Sequence, residues 1–513
     1  MFIKILLLVI FVSVMLGVGY YTRKHATNVN DFVLGGRTVG PWLTAFAFGT
    51  SYFSAVVFVG YAGQFGWKYG LATTWVGIGN ALIGSLLAWV ILGRRTRIMT
   101  NHLKAATMPD FFGKRFESDA LRITASVIVF IFLIPYTASL YNGLSRLFGM
   151  AFDIPYFVCV IMMATLTGIY VIMGGYMATA INDFIQGIVM LFGIVAVIAA
   201  VLNGQGGFMK AVAKLAEIPS EMEITAGQPG AYTSFFGPDP LNLVGVIILT
   251  SLGTWGLPQM VQKFYAIKSE KAVKTGTIIS TFFAIVIAGG CYFLGGFGRL
   301  FDNPSIYNSE TGAIMYDAII PSMLSTLPDI LIGVVVVLVL SASMSTLSSL
   351  VLTSSSTMTL DLIKGSFVKD LDDKKQLLIM RILIVFFVAV SVIIALDPPT
   401  FIAQLMGISW GALAGAFLAP FMYGLFWKGT TKASVWACFI AGVGVTVLNM
   451  FFNFFASPIN AGAFAMLIGL VIVPVVSLIS PKMEEKKLTS IFSCYEEEVH
   501  VKRKVALPED EEE

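Results

Sequence analysis

The chain has 513 residues, of which 57% are hydrophobic and only 12% charged, and its mean hydropathy is +0.83. An average soluble chain carries about 25% charged residues, so this composition excludes a soluble enzyme and makes the chain a polytopic protein of the lipid bilayer. The formal net charge of +3 gives no reason to expect a nucleic-acid partner, and the basic residues report topology instead.

Runs of about 20 apolar residues, enough to cross hydrocarbon, are predicted near 2–22, 41–66, 71–93, 121–146, 153–174, 178–203, 241–262, 273–298, 328–357, 378–396, 400–426, 432–455 and 460–480. They amount to about thirteen helices in one all-α transmembrane domain, 1–480, followed by a tail, 481–513, expected to be solvated. Gly17-Val-Gly-Tyr-Tyr21 offers no convincing cleavage site, so the first run is read as a helix and not as a signal peptide. With about thirteen alternating spans, one side collects Arg23, Lys24 and Arg37; Arg94, Arg95, Arg97, Lys104, Lys114 and Arg115; Lys263, Lys268, Lys271 and Lys274; and Lys364, Lys369, Lys374 and Lys375. The positive-inside rule makes that side the cytoplasm. The amino terminus is then outside the plasma membrane and the tail inside, with Lys4 a mild exception.

Two spans are interrupted. The second carries Gly49-Thr-Ser-Tyr-Phe-Ser54 and then Gly60, Gly63 and Gly66; the seventh carries Gly253-Thr-Trp-Gly256-Leu-Pro258-Gln259. Glycine and proline within a span free backbone groups that must find partners or line a cavity, although glycine also serves tight helix crossings. Their spacing, five spans apart, predicts a five-plus-five inverted repeat with a midplane site, the repeats lying at about 41–203 and 241–426. The sixth span holds a lone carboxylate, Asp183. At membrane depth a carboxylate costs about 3 kcal/mol and usually faces a polar interior, unless it lies near enough to an end to reach water.

In the ninth span, Ala342, Ser345, Thr346 and Ser349 fall at i, i+3, i+4 and i+7 and share one helical face. Such oxygens suit a hard monovalent cation, or else simply bond to their own helix. Cys159, Cys291, Cys438 and Cys494 show no paired spacing, and His25, His102 and His500 fall in loops or the tail, so no thiol or imidazole cluster is expected inside the membrane.

Asp31-Phe-Val-Leu-Gly-Gly-Arg37, Thr107-Met-Pro-Asp-Phe-Phe-Gly-Lys-Arg-Phe116, Gly174-Gly175 through Gln186, and Ser345-Thr346-Leu-Ser348 occur in the order found in the sodium:solute symporter family, which the chain resembles over almost its whole length. The resemblance implies a LeuT-type inverted-repeat fold and sodium-coupled import of a small organic solute by alternating access, with no enzymatic step. It implies sodium ligands at the carbonyls of Thr50, Phe53 and Ala342 and the hydroxyls of Ser345 and Thr346; some members hold a second sodium with the span-six aspartate and the span-nine hydroxyls, and Asp183, Ser345 and Thr346 leave one or two ions open here. Tyr52 stands where the proline symporters carry an aspartate, and Thr250 and Thr254 where they carry tryptophan and tyrosine. Gly256-Leu-Pro-Gln259 and Gly296-Phe-Gly-Arg299 resemble the pantothenate and monocarboxylate branch, so a small carboxylate is the expected solute and proline the alternative. A membrane solute sensor is a more remote reading. Ser54, Gln64, Tyr136, Asn142, Thr254 and Trp255 are the candidates for the solute pocket.

Overall fold

A computed structural model describes residues 2–23, 27–368, 371–397 and 401–496. Lys24, His25, Lys369, His500 and the acidic end of the tail lie outside these residues. Helices begin where a short polar side chain can accept a first-turn backbone N–H, as those of Thr107, Ser118, Asp239, Ser269, Asp372, Thr431 and Ser457 do. The helices are α1 (Phe2–Thr22), α2 (Val29–Leu34), α3 (Pro41–Tyr52), α4 (Ala62–Tyr69), α5 (Thr74–Gly79), α6 (Arg94–His102), α7 (Met108–Arg115), α8 (Asp119–Phe152), α9 (Tyr156–Gly204) and α10 (Phe208–Glu217). They continue with α11 (Pro240–Gly256), α12 (Pro258–Ala266), α13 (Glu270–Gly295), α14 (Tyr316–Ser325), α15 (Asp329–Thr357), α16 (Asp373–Leu396), α17 (Ile402–Phe426), α18 (Lys432–Phe452), α19 (Pro458–Ile479) and α20 (Glu485–Phe492). Pairing between strands among the described residues is limited to two isolated bridges, Val39 with Ile267 and Tyr307 with Ile314.

Among the described residues ten helices are long and apolar enough to cross a membrane, or eleven when the bent pair α11 and α12 counts as one span. The expected count of about thirteen is therefore not reproduced, and breaks in the chain are the reason. The second run is split: α3 ends at Tyr52, and the helical segment from Val56 runs on through the third to His102. The fifth and sixth runs form one helical stretch, α9, kinked at Gly175, whose φ of 54° and ψ of −146° only glycine adopts readily. Phe32 of α2 packs where a Gly175 side chain would stand.

Both predicted interruptions exist. Between α3 and the π-helical turn Val56–Tyr61 the chain opens at Phe53, and between α11 and α12 it bends by 45° at Leu257. Helices cross closely at glycines, with a side chain at Gly66 colliding with the Gly295 carbonyl and one at Gly295 with the Ala62 carbonyl.

The basic loops gather at one end. Arg37 donates to the carbonyls of Tyr265 and Ala105, and Val39 and Ile267 form a parallel bridge in which Val39 N donates to Ala266 O (3.3 Å) and Lys268 N to Val39 O (3.0 Å). Burial, and then repulsion by Arg97, pull the Arg37 guanidinium down to about 10, which leaves it charged at neutral pH. The tail departs from its expected solvated state as far as Glu496: α20 docks at this basic end, where the His102 ring meets the Ser490 carbonyl (3.0 Å) and Arg115 lies 4.9 Å from the Phe492 ring centroid. Lys4 of α1 sits at the opposite end, bonded to the Ala151 carbonyl (3.0 Å) and paired with Asp329 (3.2 Å).

Candidate functional site

The apolar run Ile332–Leu340 carries α15 through the middle of the bundle, and everything from Leu338 to Thr357 on it is buried. A hydroxyl there can bond only to protein or to a bound ion. Ser345 Oγ donates to Thr50 Oγ1 (2.7 Å), which donates to the Phe46 carbonyl (2.8 Å). Thr346 Oγ1 lies 3.2 Å from the Thr50 carbonyl, 3.4 Å from that of Ser51 and 3.1 Å from that of Ala342. Ser349 Oγ, one turn on, meets Ser51 Oγ at 2.9 Å. The hydroxyl face of α15 therefore closes on the end of α3 next to the break and brings Thr50, Ala342, Ser345 and Thr346 next to one another. The Ser51 carbonyl is an addition. Phe53 occupies the break itself, fully buried, with its ring stacked on Tyr52 (centroids 4.2 Å apart). The cluster is uncharged, oxygen-rich and sealed from solvent, a donor set that fits a sodium-sized hard cation better than a softer metal.

Asp183 is completely buried, so the reading in which it reaches water fails. The Ser345 hydroxyl and the Lys263 ammonium face its carboxyl, Nζ standing 3.9 Å from Oδ2. Lys263 also donates to Ser349 Oγ at 2.9 Å and lies 5.3 Å from the Tyr176 ring centroid. Counting basic residues by loop put Lys263 outside the membrane, whereas it belongs to α12 and is buried. In sequence it stands four residues after Gly256-Leu-Pro-Gln259, immediately past the seventh apolar run, where nothing local distinguishes it from a loop lysine.

The solute-pocket candidates divide into two groups. Thr254 Oγ1 donates to the Gly84 carbonyl (2.9 Å) and Trp255 Nε1 to the Ile83 carbonyl (3.0 Å). Both carbonyls belong to the π-helical stretch Asn80–Leu87, where the ordinary ladder is displaced. These two residues thus repair a neighbouring helix and do not point their polar atoms at a solute. Ser54 accepts from Val56 N (3.2 Å) and shapes the break. Among the described residues Gln64 Oε1 and Asn142 Nδ2 are buried without a hydrogen-bond partner, the Tyr136 hydroxyl faces Ser54 and Trp410, and Asn142 Oδ1 accepts from Arg146 (3.0 Å). Trp410 of α17, which sequence reasoning missed, stands 5.9 Å from Tyr136 and 6.1 Å from Tyr52 between ring centroids, with its indole N–H toward the Tyr136 hydroxyl. Buried polar atoms without partners are uncommon in native cores.

The model of the sodium:solute symporter family matches residues 32–442. The chain belongs to that family. Sodium is the coupling ion of this multi-pass membrane symporter. Among relatives, a sodium/proline symporter of Staphylococcus saprophyticus is 30% identical over 86% of this chain and 85% of its own length. The osmoregulated proline transporter of Bacillus subtilis is 29% identical over 86% and 87%, and the sodium/proline symporter of Staphylococcus aureus 28% identical over 94% and 93%. The fold is similar to that of a Na+-coupled sialic acid symporter in a substrate-bound outward-open state, with a TM-score of 0.76 at 19% identity, covering 94% of this chain and 99% of the other. Mhp1, a nucleobase-cation-symport-1 transporter, is more distant, with a TM-score of 0.54 at 13% identity over 90% and 97%.

Proposed function

We propose that the protein imports proline, or a closely similar small amino acid, together with sodium. The observation that carries this choice is the run of relatives named for proline, at 28–30% identity over 86–94% of the chain. It displaces the pantothenate or monocarboxylate reading, whose motif residues have structural work of their own. Arg299 donates to the Trp67 carbonyl (2.7 Å) and pairs with Glu221 (2.9 Å), and Gly296 packs on the Gly70 carbonyl. Tyr52, in the place of the proline symporters' aspartate, donates to the Thr250 carbonyl, so solute contacts fall instead to Gln64, Tyr136, Asn142 and Trp410.

Sodium is held by the carbonyls of Thr50, Phe53 and Ala342 and the hydroxyls of Ser345 and Thr346, with Asp183 adjoining. It bridges the broken second span to the ninth and favours the state that accepts solute. A mutual stabilisation of about 1–3 kcal/mol raises affinity roughly 5–150-fold. The two broken spans belong to inverted repeats at 41–203 and 241–426, and rocking about the site exposes it to each side in turn. A potential of 100 mV adds about 2.3 kcal/mol for each charge carried fully across. The basic end faces the cytoplasm.

Proteoliposomes holding the purified chain decide the matter. Radiolabelled proline should accumulate under an inward sodium gradient and fail to do so when potassium replaces sodium. Sodium-driven uptake of pantothenate or a monocarboxylate, with none of proline, would overturn the assignment.

A further inference from the structure

Asp183 and Lys263 are the charged pair next to the hydroxyl cluster, and both are wholly enclosed. Among the described residues the Asp183 carboxyl faces the neutral Ser345 hydroxyl and the Lys263 ammonium. The ammonium 3.9 Å away is therefore its counter-charge, and a buried charge persists only when so matched. The ammonium is also fixed from other directions, by Ser349 Oγ at 2.9 Å and by the Tyr176 ring at 5.3 Å. Ser349 Oγ in turn meets Ser51 Oγ. A monovalent cation here thus touches a span-six carboxylate, a span-nine hydroxyl and, through it, the broken second span. Such ligands are what a second sodium would seek, but the cation already in place is covalently part of the chain.

We propose that the Lys263 ammonium is the resident cation of the Asp183 pocket and holds this transporter to one bound sodium, at the cluster of Thr50, Ser345 and Thr346. The inference rests on the sodium-symport reading above. Its physical basis is charge. One carboxylate matches one cation, and a sodium ion entering beside the ammonium would meet an unbalanced like charge a few ångströms away in a poorly screened interior. The tether also gives the lysine an advantage, because it occupies the pocket without the loss of translational freedom that a free ion incurs. Removing the ammonium while leaving Asp183 opens the pocket to sodium.

Equilibrium binding of ²²Na+ to the purified full-length chain counts the ions directly. Wild type and Lys263→Arg should bind one sodium per chain. Lys263→Gln should bind two, with a steeper sodium dependence, and Lys263→Gln combined with Asp183→Asn should return to one. Asp183→Asn alone should keep one sodium with affinity within about threefold of wild type, since the carboxylate serves the lysine; its transport should fall, because the ammonium is left unmatched. Two ions in the wild type, a single ion in folded Lys263→Gln, or loss of the one sodium in Asp183→Asn would each overturn the proposal. Should Lys263→Gln fail to fold, the wild-type count and Asp183→Asn still decide. Absence of sodium binding in every folded form would instead sink the sodium-site reading on which it stands.

Discussion

At Thr346 a single hydroxyl faces three carbonyl oxygens, those of Thr50, Ser51 and Ala342, at 3.1–3.4 Å. Thr346→Ala removes one neutral oxygen, about 1 kcal/mol of interaction, so the sodium concentration for half-maximal proline uptake should rise about fivefold, with solute affinity at saturating sodium little changed. An unaltered sodium dependence would make the hydroxyl face structural. Asp317 on α14 offers a test of a different kind. Burial pushes its carboxyl up to about 6, while nearby Arg146 and the Ile402 N–H it accepts (3.2 Å) oppose the shift. Below about pH 4 the group is protonated in folded and unfolded chains alike; between about pH 4 and about 6 the unfolded chain ionises first, so stability falls by about 3 kcal/mol over that window. Melting of the detergent-purified protein should decline correspondingly with rising pH, and Asp317→Asn should flatten the curve. The hydroxyl face was legible in sequence because i, i+3, i+4 spacing places it on any helix. Lys263 was not, because depth at the end of a broken span depends on how α12 packs, which no local pattern encodes.

Glycine crossings govern the elements. Because a methyl at Gly66 would strike the Gly295 backbone, Gly66→Ala should cost about 2–3 kcal/mol and lower the melting temperature, whereas Gly444→Ala, facing open space on α18, should be neutral or slightly stabilising. Equal effects would mean that α4 and α13 do not approach so closely. The breaks in the second and seventh spans were readable, since glycine and proline announce them. The helix count was not, because hydropathy marks apolar length alone and is blind to a π-helical run-on such as Val56–His102 or a kink such as Gly175. Likewise α20 was read as solvated from its charge, although Leu488, Ile491 and Phe492 bury one face against the basic end.

Across the molecule, the amino terminus and α20 lie at opposite ends, with the basic loops around α20. A cysteine replacing exposed Phe2 should react with an impermeant thiol reagent on intact cells, and one replacing exposed Lys482 only after permeabilisation. The reverse pattern would invert the proposed topology. The native thiols at Cys159, Cys291, Cys438 and Cys494 are buried, which keeps the background low. The bridge between Val39 and Ile267, reinforced by Arg37, joins the chain just before α3 to the chain just after α12. Two half-helices that could each swing separately are thereby geared together at one end. A transporter leaks when one gate element slips without its counterpart, letting ion pass without solute or solute without ion. Movement of either half-helix alone would have to break these backbone bonds, so the two-residue clasp favours joint movement and, with it, tight coupling of ion to solute.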